Sequence, residues 1–205
     1  NSQREVIYTR RRHALYGERI DIDMNNLRYD YATKFVEAHE GCSFEEFKFD
    51  LMREVAIDTS LTEAELEALK PRAIIESIVK DLTTHFERKA IAVAETVRPT
   101  MEKIYKDRAE QMDMRIAFPL TDGRLRYSIP VELQKCKDSD CAEIYRVFAK
   151  VALFTTIDDA WREHLREMDD LRQSVQNATY EQKDPLLIYK FESFDLFSKM
   201  LEKIN

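Results

Sequence analysis

The chain has 205 residues, and its 32 Lys and Arg against 39 Asp and Glu give a net charge of −7. Only 3 Gly and 5 Pro occur, about a third of their average share, which favours long helices with few connections over a sheet fold. The glycines Gly17, Gly41 and Gly123 are too few and too far apart for a P-loop or a dinucleotide-binding motif. Nucleotide binding through a glycine-rich loop is therefore excluded for these residues.

The three cysteines, Cys42, Cys136 and Cys141, have no regular spacing. A zinc knuckle needs a second closely spaced pair, so reduced thiols in an intracellular compartment are expected. No apolar run approaches the 18 residues typical of a spanning helix, and no signal peptide is recognisable. We therefore expect a soluble chain that does not span a membrane. Because it begins with Asn1 inside a helical pattern, we also expect it to be a piece of a longer protein.

The first third of the chain reads as a series of helices. Apolar spacing predicts helices over residues 3–20 and 24–40, and Gly41 is placed to end the second one. Pro71 suits the first turn of a further helix over residues 72–112, because its missing N–H needs no partner there.

Helix starts and one helix break are also predicted. Ser43, Thr62 and Asp140 each stand three residues before a glutamate, the spacing of a capping box. Pro99 should kink or split the helix over 72–112 near Val97.

A single β-hairpin is expected between the helices. Strands over 114–120 and 124–131 flank Asp122-Gly123, a favoured type I′ turn. With that two-residue loop Leu120 faces Leu125, and every large apolar residue of the two strands falls on one face. Because a lone two-stranded ribbon is marginal in water, this face should pack on helices.

The last third of the chain predicts two long helices joined by a polar connection. The first follows the Asp140 capping box and runs to about Ala178, with apolar residues at a mean spacing close to that of a coiled-coil seam. Its seam consists of Ile144, Val147, Val151, Phe154, Ile157, Trp161, Leu165, Met168, Leu171 and Val175. Asp184-Pro185 starts the second helix, whose seam consists of Leu187, Phe191, Phe194, Phe197, Leu201 and Ile204. The predicted fold class is mainly α: an elongated helical bundle with a long αα-hairpin and one small β-hairpin insertion.

Few residues suggest chemistry. Asp81 and His85 stand four residues apart, but an exposed helix pair is a more common reading of that spacing than a metal site. The acidic residues within 158–170 are interleaved with arginines, as on a solvated helix face. Tyr180 stands in the polar connection, away from any seam position, and is either folded back or offered to a partner.

The end of the chain carries a family resemblance. The run 156–173, with 180–185 and 189–194, resembles the SecA preprotein translocase motor family, and residues 1–8 resemble the later part of that family's long scaffold helix. The resemblance covers the whole chain but only a C-terminal portion of the motor. It assigns no role to the β-hairpin.

The resemblance implies three parts. Residues 1–20 would be the end of the scaffold helix, 21–138 the helical wing domain with the hairpin near 114–131, and 139–205 the two-helix finger. In that family the finger's loop enters the cytoplasmic mouth of the SecY channel, pushes the unfolded preprotein, and holds down ATP hydrolysis until channel and substrate are engaged. By motif position, the tyrosine that contacts the polypeptide would be Tyr180.

The resemblance also sets expectations for cofactors, partners and place. The chain itself should hold no catalytic, cofactor-binding or metal-binding residue and be inactive, with ATP and Mg²⁺ used by the full-length protein. Partners would be the SecY channel complex, unfolded preprotein and the nucleotide-binding domains of the same protein, with a homodimer left open. The protein would be cytoplasmic and peripherally associated with the inner membrane.

Two alternatives come from the residues themselves. An all-helical scaffold would bind nucleic acid through Arg10–Arg12, although a net charge of −7 opposes phosphate binding, and no nucleic acid is expected. A metal-dependent helical-bundle enzyme is the weaker alternative, with Asp81 and His85 as its best pair.

Overall fold

The structure is a computed structural model that describes residues 2–16, 20–121, 126–177 and 184–204, and it is mainly helical, as predicted. Its helices are α1 (Ser2–Tyr16), α2 (Ile20–Ala38), α3 (Phe44–Val55), α4 (Glu63–Ala68), α5 (Pro71–Asp107), α6 (Leu133–Asp138), α7 (Ala142–Asn177) and α8 (Pro185–Ile204). A 3₁₀ turn at Ala109–Gln111 and the strands β1 (Arg115–Thr121) and β2 (Arg126–Glu132) lie between α5 and α6.

The chain divides into two units. Unit 1 comprises residues 1–20 and 150–205, and unit 2 comprises residues 21–149. The division therefore falls inside α7 and not at residue 138. The assignment of 21–138 to a wing and 139–205 to a finger stays a prediction.

Unit 2 is built on an apolar core between α2, α3 and α5. The Phe35 and Phe47 rings pack edge to face, with centroids 5.1 Å apart. Leu51 and Ile78 are fully buried beside them. The remaining core members are Ala32, Ile57, Leu61, Ile74 and Val79. Apolar spacing on three helices thus converges on one cluster, which burial of each side chain stabilises.

The turns of this core carry the predicted caps. The Thr62 hydroxyl accepts a hydrogen bond from the Glu65 amide while the Glu65 carboxylate accepts one from the Thr62 amide, a complete capping box. Ser43 forms only half of its box, since its hydroxyl accepts from the Glu46 amide at 3.3 Å. Gly41 adopts φ +80° after α2, the left-handed conformation expected of a residue beyond a helix end.

Pro99 does not split α5, which was one of the two predicted outcomes; the predicted kink stays a prediction. The helix begins at Pro71, as predicted, and continues through Pro99 to Asp107. Proline lacks the N–H that would donate to the Glu95 carbonyl, four residues earlier, and its ring crowds that carbonyl. Ala94 and Met101 are buried on either side, so packing holds both halves of the helix in place.

The β-hairpin forms, but its predicted register is wrong by two residues. Leu120 pairs with Tyr127, instead of the predicted Leu125, and Phe118 pairs with Ile129. A shift of two preserves the side-chain parity, so Ile129 and Val131 are still on the packed face and fully buried. The Asp122-Gly123 turn lies outside the described residues.

The cap of α7 also differs from the prediction. The Glu143 amide donates to the Ser139 hydroxyl at 3.0 Å, so Ser139 caps the helix and Asp140 does not. Asp140 instead adopts φ 50° and accepts two hydrogen bonds from the Arg98 guanidinium, at 2.9 and 2.6 Å. The left-handed turn places Cys141 so that its amide donates to the Cys136 carbonyl at 2.7 Å.

Two further features concern the state of the cysteines and the apolar character of the helices. Cys42, Cys136 and Cys141 are free thiols, and the last two are buried. No helix among the described residues is long and apolar enough to cross a membrane.

The start of α7 packs within unit 2, where the Tyr145 ring lies 4.8 Å from the ring of Phe86 on α5.

Candidate functional site

The predicted contact residue Tyr180 lies outside the described residues. The structure describes the two helices that lead into and out of its loop. Asp184 caps α8, since its carboxylate accepts a hydrogen bond from the Leu186 amide at 2.9 Å. Pro185 occupies the first helical position, as predicted. The predicted αα-hairpin therefore corresponds to α7 and α8. The side-chain contacts that join these two helices lie within unit 1.

A buried histidine lies where α1, α7 and α8 meet in unit 1. His164 on α7 is only 2% exposed. Its Nε2 lies 3.4 Å from the side-chain oxygen of Gln3, and the Gln3 amide nitrogen donates to the Ser193 carbonyl at 3.1 Å. Gln3 of α1 thus links α7 to α8.

The donor and acceptor roles fix the tautomer of His164. The Gln3 oxygen can only accept, so Nε2 of His164 carries the proton and Nδ1 is bare in the neutral ring. Nδ1 is buried and has no hydrogen-bond partner among the described residues. Burial lowers the pKa of His164, and the nearby Glu167 opposes this only in part. Burial therefore favours the neutral form of the ring.

Aromatic rings surround this histidine. The Trp161 ring lies 5.4 Å from the His164 ring, and the Phe197 ring of α8 meets it edge to face at 5.7 Å. Trp161 is 8% exposed, which agrees with its place in the predicted seam. Enclosure of this kind excludes solvent and substrate, so we interpret His164 as part of a structural junction.

A second set of side-chain contacts joins α1 to α7. The Arg11 guanidinium forms an ion pair with Asp158 at 2.5 Å and lies over the Phe154 ring, 5.6 Å from its centroid. The helix pair is therefore anchored to α1 at two points, near residues 154–158 and at residue 164. Arg11 is directed inward, so the row Arg10–Arg12 is not a continuous exposed basic surface.

The predicted seams are only partly correct. On α7, Ile157 and Val175 are buried, but Leu165 is 43% exposed and His164 takes the inward position beside it. On α8, Met200 and Ile204 are buried. The first half of α8 is the larger departure, because Leu187, Phe191 and Phe194 are 53%, 69% and 71% exposed. These three residues are called the exposed face of α8 below.

The acidic residues of α7 form ion pairs along the helix. Arg162 pairs with Asp158 and Asp159, and Arg166 pairs with Glu163, all three or four residues apart. This is the predicted solvated face, where such pairs contribute little individually.

Asp81 and His85 are not arranged as ligands of a metal site. The Asp81 carboxylate accepts hydrogen bonds from the Ser60 amide at 2.8 Å and the Thr59 hydroxyl at 3.4 Å, so it ties a loop to α5. Their expected exposed pairing is also not formed. Within the ranges that the structure describes, no three potential ligands come together as a metal site.

Sequence reasoning missed the polar junction of Gln3 and His164. A usable indication was present, because His164 follows Ile157 and Trp161 by seven and three residues, a helical spacing that places it on the same face. Gln3 offered no comparable indication, since its partners are distant in sequence.

Comparison with known proteins places the chain in a protein family. A family model described as the SecA wing and scaffold domain matches residues 1–205. The protein translocase subunit SecA of Porphyromonas gingivalis strain W83 is 44% identical over 206 residues. Those of Azobacteroides pseudotrichonymphae and Parabacteroides distasonis are 43% identical over 206 residues and 41% over 205. Each alignment covers 100% of this chain and 18% of the relative.

Proposed function

The chain belongs to the SecA wing and scaffold family, and we propose that it is the wing and scaffold portion of an ATP-driven protein translocase. The observation that carries this proposal is the family match across all 205 residues. Within it, we assign residues 1–20 to the end of the scaffold helix, 21–138 to the wing, and 139–205 to the two-helix finger.

We assign substrate contact to the loop between α7 and α8, with Tyr180 touching the unfolded preprotein at the mouth of the SecY channel. A pusher that accepts many sequences needs contacts common to all peptides, and a tyrosine ring offers apolar area and one hydroxyl at low entropy cost. The exposed face of α8 offers further sequence-tolerant apolar area close to the same loop.

Force transmission requires a firm base for that loop. Gln3 and Arg11 of α1 hold α7 and α8 through directional hydrogen bonds and an ion pair, which supports the proposed finger. Because α1 belongs to the proposed scaffold, the same contacts offer a route by which the finger could restrain ATP hydrolysis elsewhere in the protein.

ATP and Mg²⁺ would bind in other parts of the translocase. The three glycines of this chain cannot form a phosphate-binding loop. The partners in this proposal are the SecY complex, preprotein and the protein's own nucleotide-binding domains, at the cytoplasmic face of the inner membrane.

The test is Tyr180→Ala in the full-length protein, with ATP hydrolysis and preprotein transport measured separately. We expect transport to fall while basal hydrolysis is retained, and Tyr180→Phe to keep most of the transport because it keeps the ring. Tyr16→Ala is the matched control, since Tyr16 is 67% exposed and lies on α1. Normal transport by Tyr180→Ala would remove the contact assignment.

A further inference from the structure

Unit 2 contains a cavity that has no part in the proposed finger. It lies between the end of α2, the start of α3, α4 and the start of α5, and its volume is about 540 Å³. Pockets that hold small ligands have volumes of about 300–1,000 Å³. The cavity is therefore large enough for a ligand.

The floor of the cavity is apolar and continuous with the core. Phe47 and Ile74 are buried core members, and Val36 and Leu66 pack against the same cluster. The loops around it are fixed by the capping box at Thr62 and by the other turns described above. The cavity is thus preformed, and an occupant would not have to order it.

The rim of the cavity is acidic. Glu37 in the last turn of α2 and Glu40 in the turn after it stand three residues apart, and Glu63 and Glu67 stand four residues apart on α4. Within the described part of the chain, none of these four carboxylates forms an ion pair or a side-chain hydrogen bond, and the lining contains no lysine or arginine. Its one basic group, His39, already pairs with Asp50 at 3.0 Å.

Charge and shape together restrict the occupant. Four unpaired carboxylates around a low-dielectric cavity create a negative potential that favours cations. The apolar floor requires apolar side chains, which a free metal ion or a small hydrophilic cation lacks. Two acidic rows on facing elements match a segment with basic residues on both sides of an apolar stripe.

We propose that this cavity binds a basic amphipathic peptide segment of a partner protein. Its leucine or aromatic side chains fill the floor, and its lysines or arginines lie against the two glutamate rows. The proposal concerns unit 2 alone and does not depend on the role assigned to Tyr180.

The cavity has a built-in reporter. Cys42 is part of its lining and half-buried, whereas Cys136 and Cys141 are buried elsewhere. Burial raises the pKa of the Cys42 thiol, with a further contribution from Glu46. Alkylation by iodoacetamide is therefore run at about pH 9, where more thiolate is present.

The experiment uses the 205-residue chain and a fluorescein-labelled peptide with the pattern Lys-Leu-Phe-Lys-Leu-Leu-Lys. We expect saturable binding by fluorescence anisotropy, an affinity that falls with added salt, and slower alkylation of Cys42 as the site fills. A peptide with Glu in place of Lys, and one with Ser in place of Leu and Phe, should not bind. Binding of either control peptide with equal affinity, or no binding of the basic peptide, would overturn the proposal.

Two variants locate the site. The rim variant combines Glu37→Gln, Glu40→Gln, Glu63→Gln and Glu67→Gln. Because these side chains are exposed, the fold should be retained, and we expect affinity to fall about tenfold or more.

The matched control makes the same change in net charge on α5 and the following turn. It combines Glu87→Gln, Glu95→Gln, Glu102→Gln and Glu110→Gln. Affinity should then change little. An equal loss in both variants, or unchanged Cys42 alkylation with bound peptide, would mean binding by overall charge at another surface and would refute the assignment.

Discussion

The interior of unit 1 and the interior of unit 2 are stabilised by different kinds of contact. The core of unit 2 is apolar, with Phe35, Phe47 and Leu51 at its centre. Unit 1 instead places Gln3 and His164 where three helices meet. Apolar burial is non-directional, whereas hydrogen bonds fix how each helix is rotated about its axis. Unit 2 is therefore suited to stability, and unit 1 to holding a helix pair in one orientation.

The surfaces of the two units differ as well. Unit 2 surrounds its cavity with carboxylates, and its exposed Phe49 lies on α3, away from the buried ring of Phe47. Unit 1 leaves Phe191 and Phe194 exposed on α8, next to the loop that the proposed function gives to substrate. Substitutions and changes of pH that alter the stability of each unit can test this difference.

The largest effect is expected at the centre of unit 2. Phe47→Ala removes a 2% exposed ring and should lower the free energy of unfolding by about 3–5 kcal/mol. Phe49→Ala is the matched control, because Phe49 is on the same helix and 65% exposed, and it should cost less than about 0.5 kcal/mol. The measurement is hydrogen exchange of the α3 amides, which reports on this unit by itself. Equal effects would mean that α3 packs through the other face.

The second prediction is that His39 and His164 contribute opposite pH dependences to the stability of the units that contain them. His85, also in unit 2, has a pKa lowered by burial and acts in the same direction as His164. In unit 2, burial acts to lower the pKa of His39, but hydrogen bonds to Asp50 and the Phe35 carbonyl outweigh it, and the pKa is raised. The resulting stabilisation is complete below the unfolded value of about 6.5 and is lost as pH rises through the folded pKa. In unit 1 burial lowers the pKa of His164, so unit 1 loses stability as pH falls below about 6.5.

Each slope can reach about 1.4 kcal/mol per pH unit in its own window. We expect His39→Gln to flatten the high-pH slope of unit 2 only, and His164→Leu to flatten the low-pH slope of unit 1 only. Hydrogen-exchange protection of α3 and of residues 153–168, corrected for the intrinsic pH dependence of exchange, measures the two separately. If both variants changed the same unit, the assignment of the two slopes would be wrong.

The third prediction concerns two left-handed residues that flank α3. Ala56 has φ 57° and Gly41 has φ +80°, with open space around the position of a Cβ atom at Gly41. Gly41→Ala should therefore destabilise unit 2 by about 1 kcal/mol, and Ala56→Gly should stabilise it by about 0.5–1 kcal/mol. Urea unfolding of both variants checks the opposite signs. Reversal of both signs would show that unfolded-state entropy, and not the folded backbone, dominates.

The correct and incorrect sequence predictions have separate physical causes. Spacing of apolar residues reveals a helix and its caps, as at Thr62 and Pro71, because those interactions are local. Side-chain parity cannot detect a strand shift of two residues, so the register that pairs Phe118 with Ile129 was missed. The inward side of α7, with His164 in place of Leu165, depends on helix rotation, which long-range contacts decide.

The exposed face of α8 shows a second limit. An apolar pattern indicates which residues can be buried, but it does not say whether the same chain buries them. Phe191 fits the predicted seam and is nevertheless 69% exposed. Tyr180 was selected through family resemblance, and its contact role stays a prediction because it lies outside the described residues.

The smallest effect on stability is expected on that face. Phe194→Ala should change the protection of the unit 1 helices by less than about 0.5 kcal/mol, because the ring is 71% exposed. Phe197→Ala, one helical turn later, should cost more, since its ring packs on His164 at 5.7 Å. A large effect of Phe194→Ala would mean that this residue supports the helix pair. A negligible one leaves its exposed ring free to contact a partner, and makes Phe194→Ala the variant that separates such contact from stability in the transport assay.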